Sequence, residues 1–139
     1  MLNRVFLLGA MKTSPPSFKS TGGLRRIANA FGYSMQGLKA AFQHEAAFRQ
    51  ELLLCLIALP TAYVLSANWQ QFILLCACLL IILVVELLNA AIETLADALH
   101  PDYHPLVGRA KDIGSAAVLL SFIIVFCLWA VILIPNFWP

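Results

Sequence analysis

Three long apolar runs dominate the chain. A spanning helix needs about 20 mostly apolar residues, and three segments meet that length. The first runs from about 46 to 66 (AAFRQELLLCLIALPTAYVLS) and carries Pro60. The second covers about 72 to 98 and ends in acidic residues, so its last turns should emerge from lipid. The third covers about 113 to 134, with Pro135 predicted to close it and Trp138 placed at the interface. A different pattern precedes them. Leu24, Ile27, Phe31, Met35, Leu38 and Phe42 recur at helical spacing, while Arg25, Arg26, Asn29, Gln36 and Lys39 fall off that stripe. This predicts an amphipathic helix over about 24–43, lying on the membrane surface or packed on the protein's own bundle. Gly32 and Gly37 weaken its continuity. The expected architecture is therefore all-α, with three membrane spans and an N-terminal surface helix.

Composition narrows this further. Of 139 residues, 61% are hydrophobic and 12% are charged. A soluble domain carries about 25% charged residues, and a disordered chain far fewer apolar ones. No separate soluble catalytic domain fits in this length. Any chemistry falls to the membrane part and its edges. The net charge of +2 gives no reason to expect nucleic acid as a partner. Residues 1–20 read as a flexible leader, with a short apolar run that lacks a cleavage pattern and with Met11 as a second possible start. Residues 21–139 read as one membrane domain.

The cations orient it. Arg4, Lys12, Lys19, Arg25, Arg26, Lys39, Arg49, Arg109 and Lys111 all precede the first span, begin it, or lie just before the third. The 66–71 connection has none. Positive residues favour the cytoplasmic side, which puts the N-terminus inside and the C-terminus outside.

Familiar soluble-enzyme motifs are absent. No P-loop, dinucleotide fingerprint or protein-kinase set occurs. His44-Glu45 opens like a zinc-protease motif but lacks the second histidine. Cys55, Cys76, Cys78 and Cys127 sit inside apolar runs and read as small packing residues. Pro101 and Pro105 interrupt any helix that would pair His100 with His104.

The informative feature lies in the second span. Glu86, Asn89, Glu93 and Asp97 are spaced 3, 4 and 4 apart. At about 100° per residue they fall within a sector of roughly 80°. Glu86 follows fourteen uncharged residues of span, and a carboxylate at the bilayer centre costs at least about 2.5–3.5 kcal/mol. Polar groups in a membrane can serve as interhelical glue or as a proton pathway. A proton pathway needs no cations, yet Arg49, Arg109 and Lys111 lie at the same membrane face, beside Glu45, Glu51 and Asp112. Carboxylates hold Mg²⁺, and cations with a metal hold phosphates. Phosphoryl transfer accounts for both sets. Glu93 lies about 10 Å nearer the cytoplasm than Glu86. The deeper carboxylate suits a general base for a lipid headgroup, and the shallower ones suit a metal carried by a nucleotide.

HEAAFRQE (44–51), VELLNAAIE (85–93) and GRAKDIGSAAVLL (108–120), preceded by RIANAFGYSMQGLKAAF (26–42), resemble the prokaryotic diacylglycerol kinases. The likeness runs from about Leu24 to Trp129. It implies a homotrimer with active sites shared between subunits, in the bacterial inner membrane. It also implies transfer of the ATP γ-phosphoryl group to the primary hydroxyl of diacylglycerol. By the same resemblance, Glu86 is the proton acceptor, and Glu45 and Glu93 place Mg²⁺ on ATP with Asn89 ordering that site. Lys111, Asp112, His104, Asp102 and Tyr103 resemble nucleotide contacts. Arg26 and Tyr33 resemble contacts over ATP and the lipid entry. Lys39, Ala47, Phe48, Arg49, Gln50, Glu51, Ser115 and Trp129 would meet the lipid, together with Arg26 and Glu86. The related undecaprenol kinases share ELxNxAIE and AKD signals, so undecaprenol is the alternative lipid. A non-catalytic membrane protein or proton carrier is the alternative of another class.

Overall fold

The computed structural model describes residues 23–99 and 104–137. Among these residues the chain is all helix: α1 (Gly23–His44), α2 (Ala46–Leu65), α3 (Trp69–Leu99) and α4 (Pro105–Phe137). The leader, Asp102, Tyr103 and Trp138 lie outside the described residues. The last three helices are long and apolar enough to cross a membrane. The chain divides into two compact units at Met35 and Gln36.

α1 runs through Gly32 and Gly37 without a break. It stops at Glu45, whose backbone is extended (φ −100°, ψ 113°) and forms the N-cap of α2. A helix end leaves its last carbonyls without intrahelical partners. The Arg49 guanidinium supplies two of them, donating to the Phe42 carbonyl at 3.1 Å and the Gln43 carbonyl at 3.3 Å. The connection from α1 to α2 is thus fixed by a side chain one turn into the next helix.

α2 continues through Pro60. Proline removes one backbone donor, and Thr61 Oγ1 adds a bond to the neighbouring Ile57 carbonyl at 3.2 Å. The short link to α3 is capped by side chains. Asn68 Oδ1 accepts from the Gln71 N–H at 3.0 Å, and Gln71 Oε1 accepts from the Ala67 N–H at 2.9 Å. The first satisfies a donor that the opening turn of α3 leaves unpaired, and the second ties the preceding residue Ala67 to that turn.

α4 differs from the sequence expectation at both ends. It begins at Pro105, eight residues before the expected span, so GRAKD is helical. Proline suits the first helical position because its missing donor would be unpaired there anyway. His104 Nδ1 accepts from the Leu106 N–H at 3.3 Å and completes that start. At the other end, Pro135 does not close the helix, which reaches Phe137. Near a C-terminus the proline disturbs only the last turn. Asn136 also anchors the end, donating to the Leu65 carbonyl at 3.1 Å and to Gln71 Oε1 at 2.9 Å.

α3 packs against both α2 and α4. Cys55, Cys78, Leu79, Ile82 and Val125 form the buried core, with Ala58, Leu83, Leu128 and Trp129 against it. Small residues let membrane helices approach closely where no hydrophobic force drives them together. Cys55 and Cys78 play this part, and all four cysteines are free. Large apolar side chains such as Leu53, Leu80, Leu119 and Phe126 point outward. Such an exterior is suited to hydrocarbon rather than water.

Candidate functional site

The unbroken α3 keeps the spacing of the acidic series, so Glu86, Asn89, Glu93 and Asp97 share one side of it. Glu86 is 3% exposed and Asn89 8% exposed. Glu93 is half-buried, and Asp97 is exposed. The Asn89 amide donates to Glu93 Oε1 at 3.2 Å and also interacts with the Glu86 carboxylate. One side chain therefore links the two glutamates. Its oxygen, Oδ1, is buried without a hydrogen-bond partner.

Two other helices complete the cluster. Glu45 and Glu93 both lie close enough to act electrostatically on Glu86 and on Lys111. Glu45 is half-buried, and its carboxylate makes no capping bond to α2. On α4, Lys111 Nζ donates to Asp97 Oδ1 at 2.8 Å, closing an ion pair at the exposed end of the series. This pairing follows from the early start of α4, which sets Lys111 beside the last turns of α3.

A groove of about 410 Å³ opens between α2, α3 and α4. Glu51, Cys55, Leu79, Phe122, Val125 and Trp129 are among its walls. It is almost wholly apolar, yet Glu51 Oε2 and Trp129 Nε1 are buried without partners. Glu51 also feels the charge of Glu86, so the groove adjoins the deep end of the acidic series.

The structure brings together Glu45, Glu86, Asn89, Glu93 and Lys111, and separately Glu51 and Trp129. Other expected residues stand apart from these groups. Phe48 is buried on α2, while Ala47, Gln50 and Ser115 are exposed and do not line the groove. Arg49 is engaged at the end of α1, and His104 helps to begin α4. Asp112 and Lys39 are exposed. Arg26 and Tyr33 are exposed residues of the first unit, where Arg26 borders a shallow hollow with Gly23, Ile27 and Ala30. Sequence reasoning gave no role to Gly114 and no partner to Asp97. It could have found the Arg49 bonds from an arginine placed one turn after a helix break.

No group of three or more histidine, cysteine or acidic side chains is placed to hold a metal among the described residues. The two carboxylates expected to hold a metal, Glu45 and Glu93, both act on Glu86 and Lys111. Mg²⁺ is ordinarily bound by one or two carboxylates together with substrate phosphates, not by a dedicated protein cage. Two unengaged or lightly engaged carboxylates beside a lysine fit a metal that arrives with a nucleotide.

Comparison with known proteins places the chain in a family. The family model for prokaryotic diacylglycerol kinase matches residues 32–133. A diacylglycerol kinase of Pseudomonas aeruginosa is 46% identical over 121 residues, covering 87% of this chain and 98% of the relative. One from Escherichia coli K12 is 43% identical over 118 residues, covering 85% and 97%. One from Helicobacter pylori 26695 is 37% identical over 115 residues, covering 83% and 88%. With half-buried and buried carboxylates on one helical line, a lysine at its exposed end and relatives matched over nearly their whole length, the chain belongs to the prokaryotic diacylglycerol kinase family.

Proposed function

We propose that the protein phosphorylates diacylglycerol with ATP at the cytoplasmic face of the bacterial inner membrane. The observation that carries this is the Asn89 amide joining buried Glu86 to Glu93, with Lys111 at the open end of the same line. Phosphoryl transfer needs positioning and charge neutralisation rather than covalent catalysis, and this cluster offers both.

Glu86 accepts the proton of the primary hydroxyl as its oxygen attacks the γ-phosphorus. The bond to the β–γ bridging oxygen breaks, ADP leaves and phosphatidate forms. Burial keeps water from competing with the lipid hydroxyl at this carboxylate. Glu45 and Glu93 would hold Mg²⁺, which would neutralise phosphate charge when bound with ATP. Asn89 keeps Glu93 oriented. Lys111 turns from Asp97 to the phosphates, and Asp112, His104, Asp102, Tyr103, Arg26 and Tyr33 complete the nucleotide contacts. The groove beside Glu51 and Trp129 takes the lipid, and Arg26, Lys39, Ala47, Phe48, Arg49, Gln50 and Ser115 are further candidate lipid contacts outside it.

The working unit is a homotrimer with sites shared between copies. The apolar outward faces of α2 to α4 support contacts with further copies as well as with lipid. Residues 21–139 act as one kinase domain. The stripe from Leu24 to Phe42 is exposed at all six positions, which supports a helix lying on the membrane surface. The placement of cations before the first and third spans supports a cytoplasmic N-terminus and an external C-terminus.

The test is purified protein in micelles with Mg·ATP and either diacylglycerol or undecaprenol, read as labelled phospholipid. Labelled phosphatidate is expected, with little undecaprenyl phosphate. Preference for undecaprenol would move the substrate assignment, and no labelled lipid from either would overturn the kinase reading.

A further inference from the structure

The cluster depends on a residue with no side chain. Gly114 is buried on α4 and faces Asn89 of α3. A Cβ at this position would collide with Asn89 Oδ1, and would stand 3.4 Å from its Cγ and 4.0 Å from its Cα. Gly23, Gly32 and Gly37 have nothing within 4 Å of such an atom. Of these four glycines, Gly114 is the one set against a neighbouring helix, where α4 passes the acidic series.

The direction of the Asn89 amide explains why the space matters. Its two N–H donors must face Glu93 and Glu86, since a carboxylate accepts and does not donate. Its oxygen must then face away from them, toward α4. It meets no donor there, so the planar amide is held only from its Nδ2 side. That orientation requires room for the oxygen on the α4 side, and the missing Cβ of Gly114 provides it. Turning the amide over to relieve a clash would aim the oxygen at the carboxylates.

We infer that Gly114 is a positioning residue for phosphoryl transfer: by lacking a Cβ it seats the Asn89 amide, and through Asn89 it holds Glu93 and Glu86 in register. This rests on the site proposed above. It makes α4 a participant through its backbone as well as through Lys111, three residues earlier.

The experiment is a double-variant cycle with Gly114→Ala, Asn89→Ala and both together, assayed as the full chain in micelles. Displacing a catalytic group by about 1 Å can cost on the order of 100-fold, so Gly114→Ala is expected to lower kcat by about 10- to 100-fold. The KM for Mg·ATP should rise while the KM for diacylglycerol stays put, since Asn89 orients Glu93 and touches no lipid. A smaller fraction of folded enzyme would move neither constant. With Asn89 truncated, the added methyl has space, so Gly114→Ala should change kcat by no more than about twofold in that background. The double variant also restores folding if the single one assembles poorly. Asn89→Ala at wild-type activity would overturn the site assignment itself. Asn89→Ala impaired, with Gly114→Ala either harmless alone or equally damaging in both backgrounds, would overturn the role of Gly114 alone.

Discussion

Replacing Glu86 by glutamine removes the proposed base while keeping its shape and its neighbours. Glu86 is 3% exposed, so a bulk water cannot readily take its place. Glu93 lies seven residues further along α3, about 10 Å along the axis at 1.5 Å per residue, out of reach of the same hydroxyl. A positioned base contributes about 10²- to 10⁴-fold. With neither substitute at hand, the loss should fall in the upper part of that range, about a thousandfold or more, or at least about 4 kcal/mol of barrier. Stability should move the other way. Glu86 is a carboxylate desolvated by burial and facing the negative charges of Glu93 and Glu45, with the Asn89 amide the group that favours its charge. Neutralising it relieves repulsion, so Glu86→Gln should unfold at or above the wild-type temperature. Catalytic sites often carry such destabilisation. The assay is labelled phosphatidate formation at saturating Mg·ATP, paired with a thermal unfolding scan in the same micelles. A kcat within tenfold of wild type, or a lost activity that tracks a lowered melting temperature, would refute the base assignment.

Glu45→Gln and Glu93→Gln should each raise the magnesium concentration needed for half-maximal rate, with the lipid KM little changed; an unaltered magnesium titration in both contradicts the metal role. Asn136→Leu removes the bonds to the Leu65 carbonyl and to Gln71, leaving polar groups unpaired at about 1–3 kcal/mol. It should shorten the half-life of thermal inactivation while leaving activity at low temperature intact. An unchanged half-life would show that this clasp contributes nothing.

Much of this fold was legible because membranes leave so few choices. Long apolar runs must form helices to pair their backbone groups, and α2, α3 and α4 follow the three runs. The misses lie where local polar chemistry decides. The start of α4 at Pro105 depends on a proline that tolerates the first helical turn and on the His104 ring accepting from Leu106. Neither leaves a hydrophobic period. Pro135 misled in the opposite direction, because a helix breaker near a terminus has little helix left to break, and Asn136 holds that end in place. On the site, periodicity located Glu86, Asn89 and Glu93 because they share one helix. It could not pair Asp97 with Lys111, which belong to different helices and are fourteen residues apart. Nor could it show that Gly114 crosses over Asn89.

Exposure along the acidic series supplies a physical reason for its order. Glu86 and Asn89 are buried, Glu93 is half-buried, and Asp97 is exposed and already paired with a lysine. Each step of roughly one turn, about 5.4 Å, moves toward water. The two substrates of a lipid kinase differ in the same sense. One cannot leave the membrane and the other cannot enter it. On the proposed mechanism, a single helix whose carboxylates pass from buried to exposed would let the lipid hydroxyl meet a base at one end while the polyphosphate meets a cation at the other. On that mechanism the reacting atoms would come together between them, near Asn89. That is where α4 meets the series through Gly114, with no side chain between the two backbones on its side. A bulkier residue there would disturb the junction of the two compartments rather than either one alone, which is why the expected defect of Gly114→Ala joins a lowered kcat to a raised KM for Mg·ATP.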